Sequence, residues 1–184
     1  RNLDAAVGST QGYARLMANS SQADDYADGN GEGSMKDLER HLICLDRKTG
    51  KTVWTSNETA INSPIFGSWS APVVVRAGDH DELVMPLPGG KIGGPGFFKG
   101  YDPASGKALW QIEGLGNEVY AMPIVGAGGG IVVGISGHNG PTMAIRPGGT
   151  GDSTTTHTLW RTETKNPQRV GSGVIHDGHL FLAD

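Results

Sequence analysis

His41-Leu-Ile-Cys-Leu-Asp-Arg-Lys-Thr-Gly-Lys-Thr-Val-Trp54 is answered further along the chain by Gly100-Tyr-Asp-Pro-Ala-Ser-Gly-Lys-Ala-Leu-Trp110. Both stretches place an aspartate four positions before a glycine and eight before a tryptophan, with lysine directly after the glycine. A third, stretched copy runs from Thr142-Met-Ala-Ile-Arg146 to Thr158-Leu-Trp160 across a Gly/Thr/Ser tract. The three tryptophans are 56 and then 50 residues apart, the spacing of a repeat array in which each unit is one small sheet.

Working outward from the phrase, the chain from Leu38 onward consists of short apolar or alternating segments bounded by Gly, Pro and Asp, the pattern of strands and turns. After Trp54 come Trp69-Ser-Ala-Pro-Val-Val-Val75, Glu82-Leu-Val-Met-Pro-Leu87, Phe97 to Asp102 and the segment ending in Trp110. The order repeats in Tyr120-Ala-Met-Pro-Ile-Val125, Gly130 to Ser136, Pro141 to Arg146 and His157 to Trp160. Units of about 50 residues with four antiparallel strands are the pattern of β-propeller blades, whereas a β-sandwich requires no equal repeats. The expected fold is therefore all-β, a β-propeller of four-stranded antiparallel blades present as a partial ring of about three. Residues 1–37 read as a polar loop or extension, with Tyr13 to Met17 as its one short helical or packed patch. Residues 38–184 read as the propeller segment: 38–56 the end of a blade, 68–112 and 119–162 two blades, and 171–184 the start of another.

The phrase explains itself physically. Asp46 and Asp102 are placed to accept hydrogen bonds from the N–H groups of their own turns, and Gly50 and Gly106 supply the positive φ that closes them. Trp54, Trp110 and Trp160 end the outer strands, where a large ring can bury against a neighbouring sheet and its N–H can reach a carbonyl. Because they recur at one repeat position, these seven residues are expected to dock blades rather than bind a ligand.

Composition excludes several classes. A net charge of −4 without any Lys/Arg cluster leaves out a nucleic-acid footprint. The apolar runs fall well short of the roughly 20 residues of a membrane helix. Cys44 has no second cysteine to pair with and reads as a buried structural thiol. Arg1 opens the chain without a hydrophobic leader, which fits a processed or excised segment and a cytoplasmic protein equally. Gly89-Gly-Lys-Ile-Gly-Gly-Pro-Gly96 lacks the Gly-Lys-Ser/Thr ending and the following helix of a phosphate loop. No Gly-x-Ser-x-Gly elbow supports a serine hydrolase.

Leu45-Asp-Arg-Lys-Thr-Gly-Lys-Thr-Val-Trp54, together with Ser70-Ala-Pro-Val-Val74 and Ala121-Met-Pro-Ile-Val125, resembles the pyrroloquinoline-quinone-type (PQQ-like) β-propeller repeat over residues 38–184, and most closely the uncharacterised secreted bacterial propellers of that family. The resemblance implies a periplasmic or secreted protein and a parent ring of seven or eight blades. It is also shared with quinoprotein alcohol dehydrogenases, which carry adjacent cysteines, a calcium held by Glu, Asn and Asp, and an Asp base. With Cys44 alone the disulfide has no match here, and the catalytic residues are not carried over.

In a propeller, the loops after each outer strand and between the second and third strands gather around the channel. The residues there that suit a ligand are Asn57, Glu58, Trp69, Lys91, Asn117, Glu118, Tyr120, His138, Asn139, Asn166 and Arg169. Asn57-Glu58 and Asn117-Glu118 have the residue types of a calcium pair, and they also suit solvated turns. His138-Asn139 lies between glycines that permit close backbone approach, and equally suits a wide hairpin turn. His176-x-x-His179 spans a hairpin turn, a two-ligand spacing without a third donor. The expected function is a non-catalytic module binding a protein or small ligand, with no cofactor or metal. The alternative is a PQQ- and calcium-dependent dehydrogenase whose catalytic blades lie outside this segment; a sensor propeller attached to another module is a third. Open blade edges are expected to favour association.

Overall fold

The computed structural model describes residues 12–18, 40–57, 70–88, 94–116, 118–137, 139–163 and 171–182. Among the described residues, fourteen strands fall into four sheets. The first contains β1 (Gly12–Ala18), β2 (Arg40–Asp46) and β3 (Thr52–Asn57). The second is a meander of β4 (Val73–Ala77), β5 (His80–Leu87), β6 (Gly96–Tyr101) and β7 (Ala108–Leu115). The third contains β8 (Ile124–Val125), β9 (Val132–Ile135), β10 (Thr142–Ile145) and β12 (Thr158–Arg161). β11 (Gly151–Asp152) leaves that unit to join the second sheet, and the hairpin of β13 (Val174–His176) and β14 (His179–Phe181) forms the fourth.

Alternation along the strands decides how the sheets stack. On β5, Leu83, Met85 and Leu87 pack with Leu42, Tyr101 and the half-buried Trp54 between the first and second sheets. Val84, from the other face of β5, joins Phe98, Trp110, Ile112, Val132, Met143 and Ile145 between the second and third. Ala144 of β10 lies with Ile124, Val133, Ile135, Ile175 and Leu180 between the third and fourth. Each central sheet is thus buried on both faces by its sequence neighbours. That is the stacking of propeller blades, whereas a sandwich would leave one face of each sheet in water. The fold is all-β, a partial β-propeller.

The two Asp-to-Gly turns share their closing main-chain bonds and differ in the side-chain ones. Gly50 N–H donates to the Asp46 carbonyl and Gly106 N–H to the Asp102 carbonyl, both at 2.8 Å, with φ of +70° and +71° at the two glycines. Asp46 Oδ1 accepts from the N–H groups of Lys48 and Thr49 and from the Thr49 hydroxyl. Asp102 Oδ1 accepts from Ala104 N–H, and Asp102 Oδ2 accepts from the Ser105 hydroxyl. These bonds, the Thr49 hydroxyl first, hold the Asp46 carboxyl below its ordinary pKa.

Trp54 docks as expected, its Nε1–H donating to the Pro103 carbonyl at 3.0 Å in the turn of the second sheet. Its ring lies where a Cβ on Gly106 would stand, 2.4 Å from Cε3. Trp110 is 2% exposed and covers Gly100 on the adjacent strand, but its indole N–H reaches a carboxylate, Glu82, rather than a carbonyl. Trp160 is 40% exposed among the described residues.

Two further corrections concern elements. The stretch expected to be a loop at residues 1–37 contains β1, which pairs antiparallel with β2 along its full length from Gly12↔Asp46 to Ala18↔Arg40. The stretched connection of the third repeat, read only as an inserted tract, is ordered. It sends β11 parallel to the outer strand β7, pairing Gly151 with Trp110, and returns through one helical turn at Thr154–His157. The outer edge of the second sheet is thereby covered, which removes a site for unwanted pairing.

Trp110→Ala is expected to lower the unfolding free energy by about 3–5 kcal/mol, the range for emptying a large aromatic site, and Trp160→Ala by under about 0.5 kcal/mol. Urea unfolding of the two variants in parallel checks the ranking; equal losses would refute the assignment of docking to Trp110 and not to Trp160.

Candidate functional site

Of the ligand residues expected from sequence, Glu58, Trp69, Lys91, Asn117, His138, Asn166 and Arg169 lie outside the described residues, and Asn57 is described only as the last backbone position of β3. Glu118, Tyr120 and Asn139 are described, and the fold brings them to one rim of the third sheet. The segment entering that sheet and the loop between β9 and β10 are laced together there. Gly116 N–H donates to Ser136 Oγ at 2.8 Å, and Gly137 N–H donates to the Glu118 carbonyl at 2.9 Å. The loop closes on itself through Gly140 N–H to the Gly137 carbonyl at 2.9 Å, with Asn139 exposed at φ +58°.

Inside this lacing, Glu118 is 7% exposed and its Oε2 accepts the Tyr120 hydroxyl. A carboxylate at such depth needs a donor, and the phenol supplies one. Burial first, then the hydrogen bond to Glu118, pushes the Tyr120 pKa up to about 12, so the phenol keeps its proton at neutral pH. The Tyr120 ring occupies the space beside Gly137, where an added Cβ would sit 2.4 Å from Cε2. The rim continues towards the fourth sheet through Met122, whose N–H donates to Ser172 Oγ at 3.0 Å. Glu118 and Tyr120 thus form a buried carboxylate–phenol pair that holds this end of the third sheet together.

A second polar cluster was not foreseen from sequence. Glu82 on β5 is 1% exposed, and its Oε2 accepts from Trp110 Nε1 at 2.9 Å and from Gly148 N–H at 3.0 Å. Its Oε1 lies 3.0 Å from His80 Nε2, while His80 Nδ1 lies 3.1 Å from Asp79 Oδ1. Gly148 belongs to the stretched connection of the third repeat, so Glu82 ties two sheets together. The signal was present in the sequence. Glu82 shares strand parity with Val84, so a charged group stands at a core-facing position of an otherwise apolar strand, and such a group requires dedicated partners.

Profile and relative comparisons agree with this architecture. The family model described as outer membrane protein assembly factor BamB, a PQQ-type repeat family, matches residues 27–184. The chain belongs to the PQQ-like β-propeller family. Among curated relatives, the quinoprotein alcohol dehydrogenase PedH of Pseudomonas putida is 31% identical over 45% of this propeller chain. The quinohemoprotein alcohol dehydrogenase ADH IIB of Pseudomonas putida is 34% identical over 40%, and methanol dehydrogenase subunit 1 of Methylobacterium organophilum is 31% identical over 43%. The matched stretches amount to 14%, 10% and 12% of those relatives' lengths, so the propeller segment corresponds to a small part of each. A solved quinohemoprotein alcohol dehydrogenase, ADHIIG of Pseudomonas putida, aligns with a TM-score of 0.47 and 14% identity, covering 69% of this chain and 25% of that one.

His80 faces a carboxylate on each ring nitrogen, an arrangement that only the doubly protonated imidazolium satisfies in full. Hydrogen bonding to Asp79 first, and then to Glu82, raises its pKa above the ordinary value, and the same bond lowers that of Asp79. Arg76 is engaged beside this cluster by Asp81 at 3.1 Å. A raised folded-state pKa gives stability that is fully present below the unfolded imidazole value of about 6.5 and is lost as pH rises through the folded value. Melting temperature is therefore expected to fall as pH rises through and above about 6.5, and His80→Gln is expected to flatten that part of the profile. A His80→Gln profile parallel to the parent's would contradict the assignment.

Proposed function

We propose that this propeller is a non-catalytic binding module of a periplasmic or secreted protein, using the rim around Glu118 and Tyr120 to hold a protein or small-molecule partner. The observation that carries the reading is the commitment of the rim's buried acid: Glu118 Oε2 is occupied by the Tyr120 hydroxyl, and the backbone on both sides is tied to the β9–β10 loop. Rigid elements with loops fixed at one edge are how propellers present binding surfaces.

The second reading is a PQQ- and calcium-dependent dehydrogenase, a class suggested by the quinoprotein, quinohemoprotein and methanol dehydrogenases to which the chain is similar. Of the donors that the sequence offers for that pair of groups, Glu58 and Asn117 lie outside the described residues. Calcium takes six to eight oxygen ligands, commonly with several carboxylates. Among the described residues no three His, Cys, Asp or Glu side chains converge, and Glu118 already serves Tyr120. No reaction step is derived through quinone or calcium.

Incubating the purified protein with pyrroloquinoline quinone and calcium, removing unbound quinone, and following dye reduction with short alcohols separates the two readings. The binding-module reading expects neither retained quinone absorbance nor alcohol-dependent dye reduction. Retained quinone with turnover would replace it with the dehydrogenase.

A further inference from the structure

The hairpin β13–β14 sets two imidazoles against each other. Its turn, Asp177–Gly178, has φ of +47° and +73°, the two-residue form that leaves the flanking residues directly paired. That flanking pair is His176↔His179. Directly opposed residues on antiparallel strands share a face, with Cβ atoms about 4.5–5.5 Å apart. The other face of the hairpin carries Ile175 and Leu180 into the core, so the two histidines project outward, and both are exposed.

One ring is also fixed in its tautomer. His179 Nδ1 lies 2.7 Å from the Asp177 carbonyl oxygen, an acceptor only, so Nδ1 carries the proton and Nε2 keeps its lone pair. A histidine whose one nitrogen donates to a backbone carbonyl while the other points away is the arrangement that orients metal-ligating imidazoles.

We propose that His176 and His179 form a two-imidazole site for a borderline divalent transition metal such as Ni²⁺, Cu²⁺ or Zn²⁺. Imidazole nitrogen suits these ions and not Ca²⁺ or Mg²⁺, which take oxygen, so the site is distinct from any calcium chemistry in the family. No set of three His, Cys, Asp or Glu side chains converges among the described residues, so water completes the coordination sphere. In the second sheet the same two places are held by Ala77, which is 6% exposed, and His80, whose side chain is 53% exposed. Bound metal would pin the two strands at their turn end.

The test is calorimetric titration of the untagged protein with NiCl₂. A 1:1 isotherm is expected that weakens at least tenfold in His176→Ala and in His179→Ala and is unchanged in His157→Ala. An absent isotherm, or one that survives both hairpin variants, would overturn the site. Electron paramagnetic resonance of the parent loaded with one equivalent of Cu²⁺ requires no variant to fold. Two coordinated imidazole nitrogens are expected, and a spectrum with one or none would equally overturn it.

Discussion

Every central sheet in this chain has two apolar faces, and water can be kept from both only if a neighbouring sheet covers each one. Val84 and Met85 are adjacent in sequence, yet they bury in different cores, one shared with the third sheet and one with the first. This alternation makes a lone blade unfavourable and a row of blades the natural solution. Between the first and second sheets the outer-strand tryptophan adds a contact that needs a flat partner without a side chain. Trp54 finds it at Gly106, whose missing Cβ leaves room for the ring and whose turn offers the Pro103 carbonyl to the indole N–H.

The stretched third repeat is the informative variation on that contact. Had the Asp-to-Gly turn been kept there, Trp110 would dock on it as Trp54 docks on the second. Instead the chain from Arg146 to His157 reaches across to the second sheet. A Cβ on Gly149 would meet Trp110 Cβ at 3.4 Å, Gly148 shares the Glu82 carboxylate with the indole, and β11 pairs with β7. A buried acid replaces a carbonyl as the acceptor, and the added charge calls for His80. Insertion, acid and histidine are therefore one device, a polar joint where the regular repeat uses an apolar one.

The repeated phrase made the blades legible because turn, glycine and tryptophan are each tied to a local geometry that any copy must reproduce. β1 was hidden because Gly12–Ala18 sits inside a polar stretch, and its pairing with β2 across more than twenty intervening residues is a tertiary choice that no local pattern encodes. The Glu118–Tyr120 pair was legible as rim position, since both follow an outer strand. Their mutual hydrogen bond, and the seating of the Tyr120 ring beside Gly137, came only with the folded loop.

The contact between Trp54 and Gly106 is best tested by a double-mutant cycle in urea, combining Trp54→Ala and Gly106→Ala. In the parent, the added methyl meets both the ring and the positive φ. Without the ring, only the backbone cost of about 1–2 kcal/mol remains. Gly106→Ala should therefore destabilise the parent by at least about 1 kcal/mol more than it destabilises Trp54→Ala, a coupling of the size found for residues in direct contact. Equal costs in the two backgrounds would mean that the tryptophan does not rest on the next sheet's glycine turn, and the account of how the blades are joined would fail.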